Sequence, residues 1–166
     1  MSDAIICNAG PLIALGGVAR LELLRDLFGH VWVPAAVRDE VVAGGVAGLG
    51  TGAFLKADWI RIADPNRLPD QLLSAFLDLG EAAVISLALE RSASLVLLDD
   101  QRARRIARDV YRLRVIGTGR VLVEGKRRGL IGPVKPLLDQ IRSNGYWIAE
   151  RLMNRILLEA NELTQP

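Results

Sequence analysis

Short apolar runs alternate along this chain with longer stretches of helical periodicity. The runs are Ala4–Cys7, Val31–Val33, Trp59–Ile62, Leu95–Leu98 and Arg114–Ile116. Each is too short for a helix and is bounded by turn-forming or polar residues, which reads as a strand. Leu95–Leu98 has no polar alternation at all, as expected of a strand buried on both faces of a parallel sheet. It ends abruptly in Asp99-Asp100.

Between these runs the spacing predicts helices. Pro11 to Phe28 carries Leu12, Leu15, Leu21, Leu24, Leu27 and Phe28, with Gly16-Gly17 splitting the stretch in two. Pro34 opens a helix with Val37, Val41 and Val42 on one side, and a further short helix precedes Trp59. Asp64-Pro65 and Pro69 mark a connection. Leu77–Ser92 follows, with Ala82, Ile85 and Leu89 as its apolar face. Gln101–Tyr111 is a basic helix with Ile106 and Val110 inward and Arg102, Arg105 and Arg108 outward. Gly117-Thr118-Gly119 turns into another helix, and Val134–Ser143 and Ala149–Glu162 form a helical extension from about residue 133. The segment Gly44–Gly52 holds five glycines and reads as a flexible connector or lid; it lacks the Lys-Ser/Thr ending of a phosphate loop. Alternating strand and helix argue one α/β domain over residues 1–166, a parallel sheet with helices on both faces.

Composition narrows this little. Of the 166 residues, 51% are hydrophobic but only 5% aromatic, so the core is aliphatic. The formal charge of +2 permits an anionic partner without requiring one. A single cysteine, Cys7, leaves no internal disulfide, and neither a signal peptide nor a membrane-length apolar run is visible. The expectation is a cytoplasmic protein.

Candidate chemistry sits where the predicted strands end. In a parallel sheet the loops after residues 4–7, 95–98 and 114–116 open on one edge. Asn8 follows the first, Asp99 and Asp100 the second, and Thr118 the third. Glu81, near the start of its helix, and Glu40 can reach the same edge. Carboxylates without cysteine, and with the one histidine (His30) distant, suit a hard cation such as Mg²⁺ or Mn²⁺, which promotes phosphodiester hydrolysis. Each acid also has a structural role open to it: Glu81 at a helix dipole, Glu40 on an exposed helix, Asp99 or Asp100 as an N-cap.

Four blocks in order, N-A-G-P-L-I-A-L, V-P-A-A-V-R-D-E-V, L-G-E-A-A-V-I-S-L-A and L-V-L-L-D-D-Q-R-A-R, together with G-T-G-R-V-L and Gly129–Asp139, resemble the PIN-domain superfamily. More closely they resemble its prokaryotic branch of toxin-like nucleases. The resemblance implies an α/β/α sandwich and Mg²⁺- or Mn²⁺-dependent ribonuclease activity. It also implies an antitoxin protein partner and a homodimer. Carried over, Glu40, Glu81 and Asp99 match the family's acids, with Asp100 a looser match among the metal ligands. Asn8 stands where the family carries Asp, and Thr118 where many toxins carry a further acid. The Asn8 departure leaves three accounts open: a weakened enzyme, an inactive module that binds RNA or a protein, or a deliberate Asp-to-Asn change that tames a toxic protein. A phosphoacceptor receiver domain fits poorly, because its acidic pair belongs after the first strand and it needs a lysine at a late strand end.

For RNA contact the candidates are Arg102, Arg104 and Arg105, next to the acidic pair, and the Lys126-Arg127-Arg128 run. Trp59, Tyr111 and Trp147 are too scattered to form a stacking platform. Leu152, Ile156 and Leu157 make an apolar stripe on the last helix, suited either to the protein's own core or to a partner.

Overall fold

The structure, a computed structural model, describes residues 3–44 and 50–164. Five strands, β1 (Ile5–Cys7), β2 (Val31–Val33), β3 (Ile60–Ile62), β4 (Leu95–Leu97) and β5 (Val115–Ile116), form one sheet in the order β3-β2-β1-β4-β5. Every pairing is parallel, and helices cover both faces. All five expected strands are present. The central pair, β1 and β4, is buried along its whole length, which is why those two runs contain no polar residue. Edge strand β3 instead leaves Arg61 and Ile62 exposed.

The helices are α1 (Ala9–Gly17), α2 (Glu22–Phe28), α3 (Ala35–Val42), α4 (Thr51–Lys56), α5 (Gln71–Phe76), α6 (Leu79–Glu90), α7 (Gln101–Arg105), α8 (Thr118–Arg127), α9 (Lys135–Ser143) and α10 (Glu150–Glu159). The predicted Gly44–Gly52 connector falls largely on residues 45–49, outside the described residues, and α4 begins inside its predicted end. Helix α5 was not expected from the pattern. It is only six residues long, buries Leu73 alone, and is started by the Asp70 side chain accepting the Leu73 N–H at 3.0 Å.

Two helical expectations need correction. Helix α6 has no single apolar face: every residue from Ala82 to Ala88 is buried, while Leu89 is exposed. A helix apolar all round is one enclosed on all sides. The basic helix closes in a π-helical turn, Ile106–Val110, which changes the residue spacing along its inner face. Ala103 and Ala107 are therefore its buried positions, Ile106 is only partly buried, and Val110 is exposed.

The C-terminal helices pack onto the body of the protein. Ile156 of α10 seats against Gly119 of α8, where no Cβ stands in the way, and Leu157 is buried beside it; Leu152 faces outward. Glu162 accepts the Val134 and Lys135 N–H groups at 2.7 and 3.0 Å and the Lys126 ammonium at 3.0 Å, so one carboxylate joins α8, the start of α9 and the end of the chain. Burial alone would raise its pKa, but these donors outweigh that and hold it below the ordinary carboxylate range.

Gly16 of α1 passes directly against Gly50. A Cβ on Gly50 would lie 2.5 Å from the Gly16 carbonyl carbon, and the Gly50 φ of 79° is left-handed. Gly50→Ala should therefore lower the unfolding free energy by about 2–3 kcal/mol, combining backbone strain with a clash. Urea denaturation followed by circular dichroism would measure it; a loss within experimental error would mean that the two segments separate freely.

Candidate active site at the carboxyl edge of the sheet

The connection after β1 leads toward β2, whereas the one after β4 leads toward β5 on the other side. The two loops diverge between adjacent strands, and a crevice at such a switch point is where open α/β sheets bind their ligands. Cys7 is in register with Leu97, so Asn8 and Asp99 follow neighbouring strands at this point.

Asn8 occupies the N-cap position of α1, yet its side chain caps nothing. A capping side chain accepts from the second or third helical N–H. The third residue here is Pro11, which has no N–H to give. Asn8 is 8% exposed as a residue and its Oδ1 has no hydrogen-bond partner. Leaving a buried amide oxygen unpaired costs about 1–3 kcal/mol, so the atom is available to a ligand.

Asp99 is the reverse case. Its Oδ1 accepts the Thr118 N–H at 2.7 Å. Its Oδ2 accepts the Thr118 hydroxyl at 2.5 Å and the Tyr146 hydroxyl at 2.6 Å. Burial, and then the Asp99 charge, push the Tyr146 phenol and the Cys7 thiol well above their usual values, so both stay neutral. Tyr146 comes from the α9–α10 connection, 47 residues away, and no feature of the sequence pointed to it.

The other acids stand alongside. Asp78 and Glu81 form a reciprocal capping box at the start of α6: Asp78 Oδ1 accepts the Glu81 N–H at 2.8 Å, and Glu81 Oε2 accepts the Asp78 N–H at 3.1 Å. Burial raises the Glu81 pKa most; the Asp78 N–H lowers it in part, and Asp78, Asp100 and Glu40 raise it further. Burial, then Asp78, also raises that of Glu40. The Asp78-x-x-Glu81 spacing was readable as a capping box, although Asp78 was not singled out. Asp100 Oδ1 accepts the Ala103 N–H at 2.9 Å and is the N-cap of α7. The structure thus brings Asp99 and Thr118 together, with Asn8 at the end of the neighbouring strand, and sets Glu40, Glu81 and Asp100 in a second group with Asp78.

Among the basic candidates, Arg102 and Arg105 are exposed. Arg104 turns inward, its Nη1 3.4 Å from the Leu98 carbonyl oxygen and against Gly117. Lys126 is held by Glu162 and the Ala160 carbonyl, and Arg127 pairs with Glu124.

Oxygen donors, one of them buried and unpaired, are the donor chemistry of a hard divalent cation. The set is sparse. Among the described residues no three His, Cys, Asp or Glu side chains converge to hold a metal ion. No described helix is long and apolar enough to cross a membrane.

An all-parallel sheet with oxygen donors at its switch point defines an α/β protein with an acidic edge. The family model DUF3368, described as a PIN domain, matches residues 4–162, and the chain belongs to the PIN-domain family, whose fold is of nuclease type. Among curated proteins none matches the chain.

The raised pKa of Glu40 has a consequence for stability. The folded protein holds this proton more tightly than the unfolded chain, so ionising Glu40 costs stability above its folded pKa and costs nothing below the unfolded value. Glu40→Gln should accordingly raise the melting temperature at neutral pH, with the gain vanishing below about pH 4. Melting curves across that range would check it; a gain independent of pH would point to a cause other than charge.

Proposed function

We propose that the protein is a metal-dependent endoribonuclease of PIN type, acting at the β1–β4 switch point. The observation that carries this reading is the unpartnered, buried Oδ1 of Asn8, which follows β1 as Asp99 follows the neighbouring strand β4. Asn8, Glu81, Asp99 and Asp100 are the proposed ligands of Mg²⁺ or Mn²⁺. A cation held by these residues would supply Lewis-acid chemistry, polarisation of a phosphodiester and activation of water.

The chain's own residues do the rest. Thr118 fixes Asp99 through its backbone and its hydroxyl, so the carboxylate enters the reaction already oriented. Glu40, with a raised pKa, takes up a proton more readily than an ordinary carboxylate and is the proposed acid–base group. Exposed Arg102 and Arg105 meet the RNA backbone, while Arg104, being turned inward, stays beside Asp99 and Gly117. An antitoxin protein, a second copy of the chain and a cytoplasmic setting complete the proposal, on the family resemblance alone.

A second reading has its own observation. The oxygens of Asp99 already hold three hydrogen bonds, and the neighbouring position is an amide where the family carries an acid. That arrangement suits a catalytically inactive module binding RNA or a protein. Asn8→Asp separates the two readings. For a weakened enzyme it should raise Mn²⁺-dependent cleavage of single-stranded RNA about tenfold or more, because it restores a charged ligand. Asp99→Ala should abolish cleavage. Equal, metal-independent cleavage by wild type and both variants would overturn the enzymatic reading, and RNA binding without cleavage in all three would favour the module.

A further inference from the structure

We propose that Tyr146 is a positioning residue that competes with the cation for Asp99, so that its hydroxyl lowers the affinity of this carboxylate for metal. This rests on the metal-dependent reading above and adds to it an internal control on metal affinity.

A carboxylate offers about four acceptor sites, two on each oxygen. On Asp99 Oδ2 both are taken, by the Thr118 and Tyr146 hydroxyls at 2.5 and 2.6 Å. On Oδ1 the Thr118 N–H, at 2.7 Å, takes one more. A single acceptor site is left for a cation. Each donor also draws electron density from the carboxylate, weakening it further as a ligand.

The two hydroxyls are not equivalent. Thr118 is the first residue of α8, and it holds Asp99 by its backbone as well as its side chain. Tyr146 lies on the α9–α10 connection, where its neighbours Gly145 and Trp147 are exposed, Trp147 at 83%. A shift of that connection removes the Tyr146 hydroxyl without unwinding a helix.

The contact is nonetheless built into the fold. Gly10 has no Cβ, and one placed there would lie 2.7 Å from the Tyr146 hydroxyl. Gly145 adopts a left-handed φ of 93°, and the Asn144 side-chain amide donates to the Gly17 carbonyl at 3.0 Å, tying the connection to the end of α1. Packing, backbone conformation and a tertiary hydrogen bond therefore all aim this hydroxyl at Asp99.

The test is Mn²⁺ binding, read from the free-ion electron paramagnetic resonance signal. Wild type, Tyr146→Phe, Tyr146→Leu and Asp99→Asn would be compared, with melting curves to establish that each is folded. Removing the hydroxyl should tighten Mn²⁺ binding about tenfold, the scale of one hydrogen bond to a charged group, and Asp99→Asn should lose it. A merely structural tyrosine would leave affinity unchanged or lower it on removal. If wild type binds Mn²⁺ and the folded Tyr146 variants bind no more tightly, this inference falls and the metal-dependent reading stands. If no folded variant binds Mn²⁺, both fall.

Discussion

The arrangement of the acidic edge depends on how the Asp99 carboxylate is hydrogen-bonded. Three donors, two from Thr118 and one from Tyr146, join the end of β4 to the start of α8 and to the α9–α10 connection. A half-buried carboxylate without such donors would lose hydration and gain nothing in return. Glycine makes the approach sterically feasible on both sides. A Cβ on Gly10 would meet the Tyr146 hydroxyl, and one on Gly117 would lie 2.8 Å from Asp99 Oδ1 and run into Arg104. The N-A-G-P and I-G-T-G segments are thus parts of one constraint, because each keeps a wall of the Asp99 pocket free of side chain.

Charge is distributed unevenly around that carboxylate. Asp99 is surrounded by donors, whereas Glu40, Asp78, Glu81 and Asp100 act mainly on one another and raise the pKa values of the two glutamates. An aspartate at position 8 would add a buried negative charge next to Asp99, with Pro11 unable to supply the N–H that normally satisfies such a residue. Asparagine avoids that repulsion and leaves only an unpaired oxygen, which is the smaller penalty in the absence of a cation. The same replacement weakens the attraction for a cation. Fold stability and the proposed attraction for a cation pull position 8 in opposite directions, and this chain has the residue that favours stability.

The strands were legible in the sequence because short aliphatic runs between turn residues have few other uses in a chain so poor in aromatic residues. The edge they open on was legible too, since a parallel sheet sends all its carboxyl ends one way. What escaped was structure made by contacts or by unusual spacing. Helix α5 is short and hides one leucine, so no period could announce it. The π-helical turn after Arg105 replaced Ile106 and Val110 with Ala103 and Ala107 as the buried positions, and Arg104, on the same helix, turned in toward Gly117. Tyr146 meets Asp99 only because α9 and α10 dock against the body of the protein, and such docking leaves no local pattern.

Glu81 shows why matching a residue to a family motif does not by itself define its role. One of its oxygens closes the capping box with Asp78, which holds the start of a helix enclosed on nearly every side. Its raised pKa comes first from that burial and only then from its acidic neighbours. The same surroundings that make Glu81 part of the α6 terminus also raise its pKa, so its place in the helix cap and its protonation are set together. Asp100 is different: it is exposed, and its Oδ1 is committed to the Ala103 N–H as the N-cap of α7. Of the adjacent pair at the end of β4, Asp99 therefore ties the strand to α8 and to the α9–α10 connection, and Asp100 starts the helix that leads away from it.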